Sequence, residues 1–185
     1  MPDAGGASPS GSDTRAPLAA GFLCYLIWGF VPLAFQAMGR LGASPWEILV
    51  HRTLWGAPTA LLFVILTRHL GPALAVFRSP RLLGALALST LLLATNWILY
   101  IWAVNSGRVI EASLGYYITP LINMAAGVMI FRERIDGVGW ASVALAAVGV
   151  VLQAAAMHAV PWLPITLAIS FGAYGVVRKQ VAVEG

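Results

Sequence analysis

Leu82-Leu83-Gly84-Ala85-Leu86-Ala87-Leu88-Ser89-Thr90-Leu91-Leu92-Leu93-Ala94-Thr95-Asn96-Trp97-Ile98-Leu99-Tyr100-Ile101-Trp102-Ala103-Val104 contains no charged side chain from end to end. A run of this length and apolarity matches the ~20 residues a helix needs to cross the hydrocarbon of a bilayer. Inside lipid every backbone polar group must be satisfied within the segment, so the stretch is predicted to be a helix. Five more runs of similar length surround it, at about 18–38, 46–67, 111–131, 137–157 and 162–178. The expected fold class is therefore an all-α membrane protein, a polytopic bundle of six transmembrane helices.

Composition supports this class and excludes others. Of 185 residues, 59% are hydrophobic and 10% charged, against roughly a quarter charged in a soluble domain. The net charge of +4 comes from ten Arg and one Lys scattered between apolar runs. Such a distribution forms no basic face for a phosphate backbone, so the lipid bilayer and not nucleic acid is the expected partner. Cys24 is alone, which leaves no disulfide framework and no thiolate cluster, and it reads as a packing residue. No metal site and no cofactor is expected.

Residues 1–16, rich in Gly, Ser, Pro and Asp, are expected to form a disordered cytoplasmic tail. With that end inside, Arg15, Arg68, Arg78, Arg81, Arg132, Arg134, Arg178 and Lys179 fall on the inner side and Arg40, Arg52 and Arg108 on the outer. The bias obeys the positive-inside rule and implies a cytoplasmic N-terminus. The last span echoes the first: Trp28-Gly29 in Phe22–Val31 aligns with Tyr174-Gly175 in Ala168–Val177. A unit of five spans followed by the start of another must re-enter from the opposite face, which is the build of inverted-repeat transporters. The expected organisation is a first five-helix repeat over 17–158 and the opening helix of a second, incomplete repeat over 159–185.

The polar residues within the spans are the candidate site. In the second span Glu47, His51 and Pro58 share a helical stripe, with Arg52 on the adjacent one. Two readings stand: interfacial anchors, or the lining of a polar vestibule in which Glu111 or Glu47 is the counter-charge of Arg52. In the vestibule reading His51 is suited to proton coupling. In the fourth span Ser113, Tyr116, Pro120, Asn123 and Gly127 lie on one stripe. Pro120 removes the helical partner of the Tyr116 carbonyl, which a neighbouring helix, a water or a ligand must satisfy. Pro32 does the same to the carbonyl of Trp28. The third span offers Asn96 and Tyr100 on one face. Trp46, Trp97, Trp102 and Trp162 are expected in the aromatic belts, whereas Trp28 lies deeper and suits a cavity wall. The fifth span, with its Gly137/Ala141 and Ser142/Ala146 steps, is expected to be close-packed scaffold.

Trp28-Gly29, the run Glu47-Ile48-Leu49-Val50-His51-Arg52, Asn96-Trp97 with Ile101-Trp102-Ala103-Val104-Asn105, and Glu111-Ala112-Ser113-Leu114-Gly115-Tyr116-Tyr117-Ile118-Thr119-Pro120-Leu121-Ile122-Asn123 together resemble the RarD branch, the chloramphenicol-sensitivity branch, of the EamA family in the drug/metabolite transporter superfamily. The resemblance runs to Tyr174-Gly175-Val176-Val177-Arg178-Lys179. It implies a ten-helix inner-membrane transporter of two inverted five-helix units (5+5) around a central cavity. It also makes Phe131-Arg132-Glu133-Arg134 the family's charged turn, with Arg132 where Gly is usual. Because the sequence stops at Gly185, the chain is expected to be truncated, and to need a C-terminal half or a second copy as partner.

The expected activity is secondary-active transport, export or exchange, of small metabolites or drugs by alternating access. Trp28, Tyr100 and Tyr116 would wall the cavity; Asn96, Asn123, Ser113, Glu111 and the charges of the second span would orient the substrate. An enzyme is not expected, since G-x-S-x-G, H-E-x-x-H and C-x-x-C are all missing from the sequence, as is a Walker-type phosphate loop. The alternative is a membrane scaffold or assembly protein without transport activity.

Overall fold

A computed structural model describes residues 15–157 and 160–184. The tail expected over 1–16 therefore lies outside the described residues up to Thr14, as does His158. Arg15 and Ala16 are already helical. The elements in order are α1 (Arg15–Arg40), α2 (Pro45–Leu66), the short α3 (Leu70–Ala75) followed by a 3-10 turn (Val76–Arg78), α4 (Pro80–Asn105), α5 (Val109–Met129), α6 (Gly137–Ala156) and α7 (Trp162–Glu184). All six expected spans are helices. Four of them, α1, α2, α4 and α6, are long and apolar enough to cross a membrane by length and composition. Helices α5 and α7 fall outside these four, and α7 packs more extensively on α5 and α4 than any other pair of helices does.

Local chemistry sets the helix starts. Ser44 caps α2 by accepting from the Glu47 N-H at 3.3 Å, and the Glu47 carboxylate accepts from the Ser44 N-H at 2.7 Å, with Pro45 fixing the first turn. Ser79 with Pro80 begins α4, and the Asp136 carboxylate takes the Gly139 N-H at 2.8 Å to begin α6. The connection over 68–81, between the second and third apolar runs, folds its Leu- and Ala-rich centre into α3, because those residues favour helix wherever the chain can turn in. Arg68 at φ 58° makes the turn that allows it. Helix α7 runs past the expected end at 178 to Glu184: leaving hydrocarbon does not end a helix, and Arg178, Lys179 and Gln180 are good helix formers.

The long helices alternate in direction, and the core lies at the end that carries the α1–α2, α4–α5 and α6–α7 turns. Phe35, Ile48, Trp97, Ile101 and Val104 join α1 and α2 to α4. Ala103, Ala112, Leu163 and Leu167 join α4 to α5 and α7. Both clusters use the C-terminal half of α4, which is the hub of the bundle. Helices α5 and α7 approach closely at Gly115, where an added Cβ would stand 2.9 Å from the Leu167 Cβ and 3.0 Å from the Pro164 carbonyl oxygen.

Away from this hub α1 and α2 part from the other helices, while α5 and α7 stay together as far as Asn123 and Gly175. Residues 16–30 of α1 and 50–63 of α2 are almost wholly exposed, with Phe22, Ile27, Leu61 and Phe63 on the surface. Such a surface is costly in water and free of that cost in lipid. Among the described helices α6 touches α5 alone, and it contains no buried residue. The close packing expected of its Gly137/Ala141 and Ser142/Ala146 steps is not found: all four are exposed, and Gly137 has no side-chain neighbour within 4 Å of an added Cβ. Small residues permit close approach but do not enforce it.

Candidate functional site

Asn96 lies at the centre of the polar arrangement. It is fully buried, in the middle of a helix made of hydrocarbon. Its Nδ2 donates to the Leu167 carbonyl at 2.9 Å and to the Ser170 Oγ at 3.0 Å, while its Oδ1 accepts from the Tyr116 hydroxyl at 3.3 Å. One amide thus binds α5 and α7 to α4. Ser170 completes the set by donating to the Leu167 carbonyl at 3.0 Å. A buried amide without partners would cost about 1–3 kcal/mol, so the network both removes that penalty and fixes one register for three helices.

A continuous series of rings surrounds the amide. Trp97 sits 5.6 Å from Trp28, 6.1 Å from Phe35 and 5.8 Å from Tyr100, centroid to centroid. Tyr100 meets Tyr116 edge-on at 5.4 Å, and Tyr116 meets Phe171 at 6.0 Å. The series crosses from α1 through α4 and α5 to α7. Trp97, expected in an aromatic belt, is instead 7% exposed within the core: the face of α4 that carries Asn96 turns it inward, one position along.

Arg52 lies over this wall. Its Cζ is 3.3 Å from the centroid of the Trp97 ring, a stacked cation-π contact. The counter-charge expected from Glu47 or Glu111 is absent. Glu47 is engaged in the cap of its own helix, and Glu111 pairs with Arg108 through two bonds of 2.6 and 2.7 Å. Sequence proximity suggested an acid for Arg52, but the backbone N-H at a helix start and an Arg three residues away are nearer competitors. Among the described residues no carboxylate forms a salt bridge with Arg52.

The expected site residues therefore divide into groups. Trp28, Arg52, Asn96, Tyr100 and Tyr116 come together. His51 is exposed on α2, and the Ser113 hydroxyl donates to the Val109 carbonyl of its own helix at 2.9 Å. Asn123 lies two turns beyond Tyr116, in a separate cavity of about 220 Å³ near the opposite end, with Gly127, Phe131, Gly175 and Lys179. There Lys179 pairs with Glu133 and rests 4.3 Å from the centre of the Phe131 ring. Pro32, Pro58 and Pro120 are each inside a continuous helix. Thr59 and Thr119, next to two of them, bond back to the carbonyls of Trp55 and Gly115 at 2.9 and 3.0 Å.

Sequence reasoning missed Phe35, Ser170 and Phe171. Only Ser170 had a signal, as the polar residue in the segment that aligns with the first span. It also missed a cavity of about 430 Å³ where α1, α2 and α4 meet, lined by Gln36, Gly39, Arg40, Pro45 and Asn105 among others. The Asn105 amide is buried there with neither its nitrogen nor its oxygen bonded among the described residues, pressed against Gly39, whose added Cβ would stand 2.8 Å from the Asn105 Cγ.

Long apolar helices with lipid-suited surfaces and a polar, aromatic centre define an integral membrane protein of the polytopic helical class. The match to the EamA-like transporter family covers residues 16–154. The chain belongs to that family. It is 40% identical over 93% of its length to an uncharacterized transporter of Pseudomonas aeruginosa, of which it covers 57%. It is 38% identical to protein RarD of Streptomyces exfoliatus over 94% of the chain and 55% of that protein. With protein RarD of Escherichia coli it shares 36% identity over 92% of the chain and 57% of the relative. The chain thus spans somewhat more than half the length of the relatives it matches. No solved structure matches it.

Proposed function

We propose that the chain carries the substrate groove of a secondary-active transporter for small metabolites or drugs, oriented with its N-terminus in the cytoplasm of a bacterial inner membrane. The observation that carries this reading is the convergence of Arg52, Trp28, Trp97, Tyr100 and Tyr116 beside the buried Asn96 network, with Arg52 and Trp28 left exposed. Flat apolar walls with few polar groups are what an amphiphilic small molecule needs. Packing confined to one end of α4 leaves α1 and α2 free over much of their length, as alternating access requires. Eight of the cations lie on the side of the chain's start, in keeping with the orientation. In this reading the helices of a C-terminal half or a second copy cover the open faces of α1 and α2, 17–158 is one repeat and 159–185 opens the next.

The proposal divides the residues by role. Arg52, Trp28, Tyr100 and Tyr116 meet substrate, Asn96 holds the helices that present them, and His51, Glu111, Ser113 and Asn123 line the approaches. Counterflow in proteoliposomes containing the chain tests it, using labelled aromatic acids, amines and amides. Saturable exchange of at least one class, reduced by Arg52→Gln, is the expected result. Flux no greater than that of empty liposomes for all three classes overturns the reading.

A further inference from the structure

Resting on that reading, we infer that the groove selects a monoanion with a flat apolar body, a carboxylate joined to an aromatic ring, and that Arg52 is the group that receives the charge. Arg52 is the eighth residue of α2, about 10 Å along an apolar span from its outer end. An ionised side chain at such depth costs free energy unless a partner or a wet cavity meets it. The protein supplies only half of that partner. The Trp97 ring covers one face of the guanidinium at 3.3 Å, and among the described residues nothing accepts a hydrogen bond from its N-H groups.

The geometry of that half-partner identifies the other half. A guanidinium carries five N-H donors in its own plane, so a ring stacked on its face leaves the donors directed outward and unused. Two parallel N-H bonds match the two oxygens of a carboxylate. Both nearby acids are engaged, Glu47 by the α2 cap and Glu111 by Arg108. With neither acid of this chain left to neutralise Arg52, its donors are open to a carboxylate brought by the ligand. One charge suffices, because Arg108 is already paired and Arg40 lies at the end of α1, three turns beyond Trp28. The neighbouring rings supply the rest: Trp28 is 49% exposed beside Trp97, and Tyr100 meets Trp97 edge-on at 5.8 Å, so a flat body can lie along the wall.

Equilibrium binding to the full chain in lipid nanodiscs tests the inference, with labelled 3-phenylpropanoate and its neutral counterpart 3-phenylpropanamide as probes at neutral pH. The acid is expected to bind about tenfold or more tightly than the amide, the difference produced by a charge-assisted pair. Arg52→Gln should abolish the preference by weakening the acid far more than the amide, and a far-ultraviolet circular dichroism spectrum like that of the unaltered chain reports that the variant is folded. Arg52→Lys, which keeps the charge but not the fork, should retain only part of it. Equal saturable binding of acid and amide by the unaltered chain overturns the anion selectivity and leaves the transporter reading standing. A preference that survives in Arg52→Gln overturns the role of Arg52. Absence of saturable binding by either probe overturns the inference, and the transporter reading then stands or falls on the counterflow of the other classes.

Discussion

The hydroxyl of Tyr116 on α5 donates to the amide oxygen of Asn96 on α4 at 3.3 Å, while the amide nitrogen of Asn96 reaches the backbone of α7. Asn96 is thereby saturated by protein. Asn96→Leu leaves the Tyr116 hydroxyl and the Ser170 hydroxyl without this partner and is expected to destabilise the bundle by about 1–3 kcal/mol. Thermal unfolding in detergent or nanodiscs measures it. Tyr116→Phe removes one weak bond and should cost less, about 1 kcal/mol.

Gly115 permits the close approach of α5 and α7. An added methyl group meets a Leu167 Cβ at 2.9 Å and a backbone oxygen at 3.0 Å, neither of which can rotate away. Gly115→Ala is therefore expected to destabilise by about 1–3 kcal/mol despite its better helix propensity. Gly29→Ala, where nothing lies within 4 Å, should be neutral or slightly stabilising. A parallel comparison of their melting temperatures checks both.

Asn105 offers the opposite sign. Its amide is buried with both polar atoms unbonded, so Asn105→Leu, of similar size, is expected to raise stability by about 1–3 kcal/mol in the observed arrangement. If α1 must leave α4 during transport, the same change should slow exchange, because the amide gains water when the helices part. Melting temperature and counterflow rate are then expected to move in opposite directions.

Glu47 separates the capping role from a site role. Ser44→Ala breaks the cap but leaves the carboxylate, and should cost about 0.5–2 kcal/mol. Glu47→Gln keeps an oxygen that can still accept from the Ser44 N-H, so it is expected to cost less. Binding of an aromatic acid should be nearly unchanged in both, since neither touches the groove.

Much of the fold was legible because hydropathy is a strong signal over twenty residues. The six spans, their order and the polar stripe of α5 could be read without coordinates. The pairing of charges could not. Glu47, His51 and Arg52 occur within six residues, yet the cap takes the first, none of the described residues pairs with the second, and Trp97 holds the third. That choice depends on which acceptors three dimensions bring within 3 Å. Trp97 shows the same limit: a Trp near a span end suits a belt or a core, and only the rotation of α4 decides between them. Ser170 carried no more than its place in the segment that aligns with the first span, because a lone Ser on a small-residue helix has no pattern until Asn96 stands opposite it.

The placement of both buried clusters at one end of α4 makes α1 a lever. Phe35 is its fulcrum, and the arm from there to Arg15 is twenty residues, about 30 Å. A tilt of about 10° at the fulcrum, hardly more than side chains absorb by small rotamer adjustments, sweeps the far tip through ~5 Å on that arm. A doorway wide enough for a slim solute can thus open at the far tip of the bundle while the contacts around Phe35 scarcely shift.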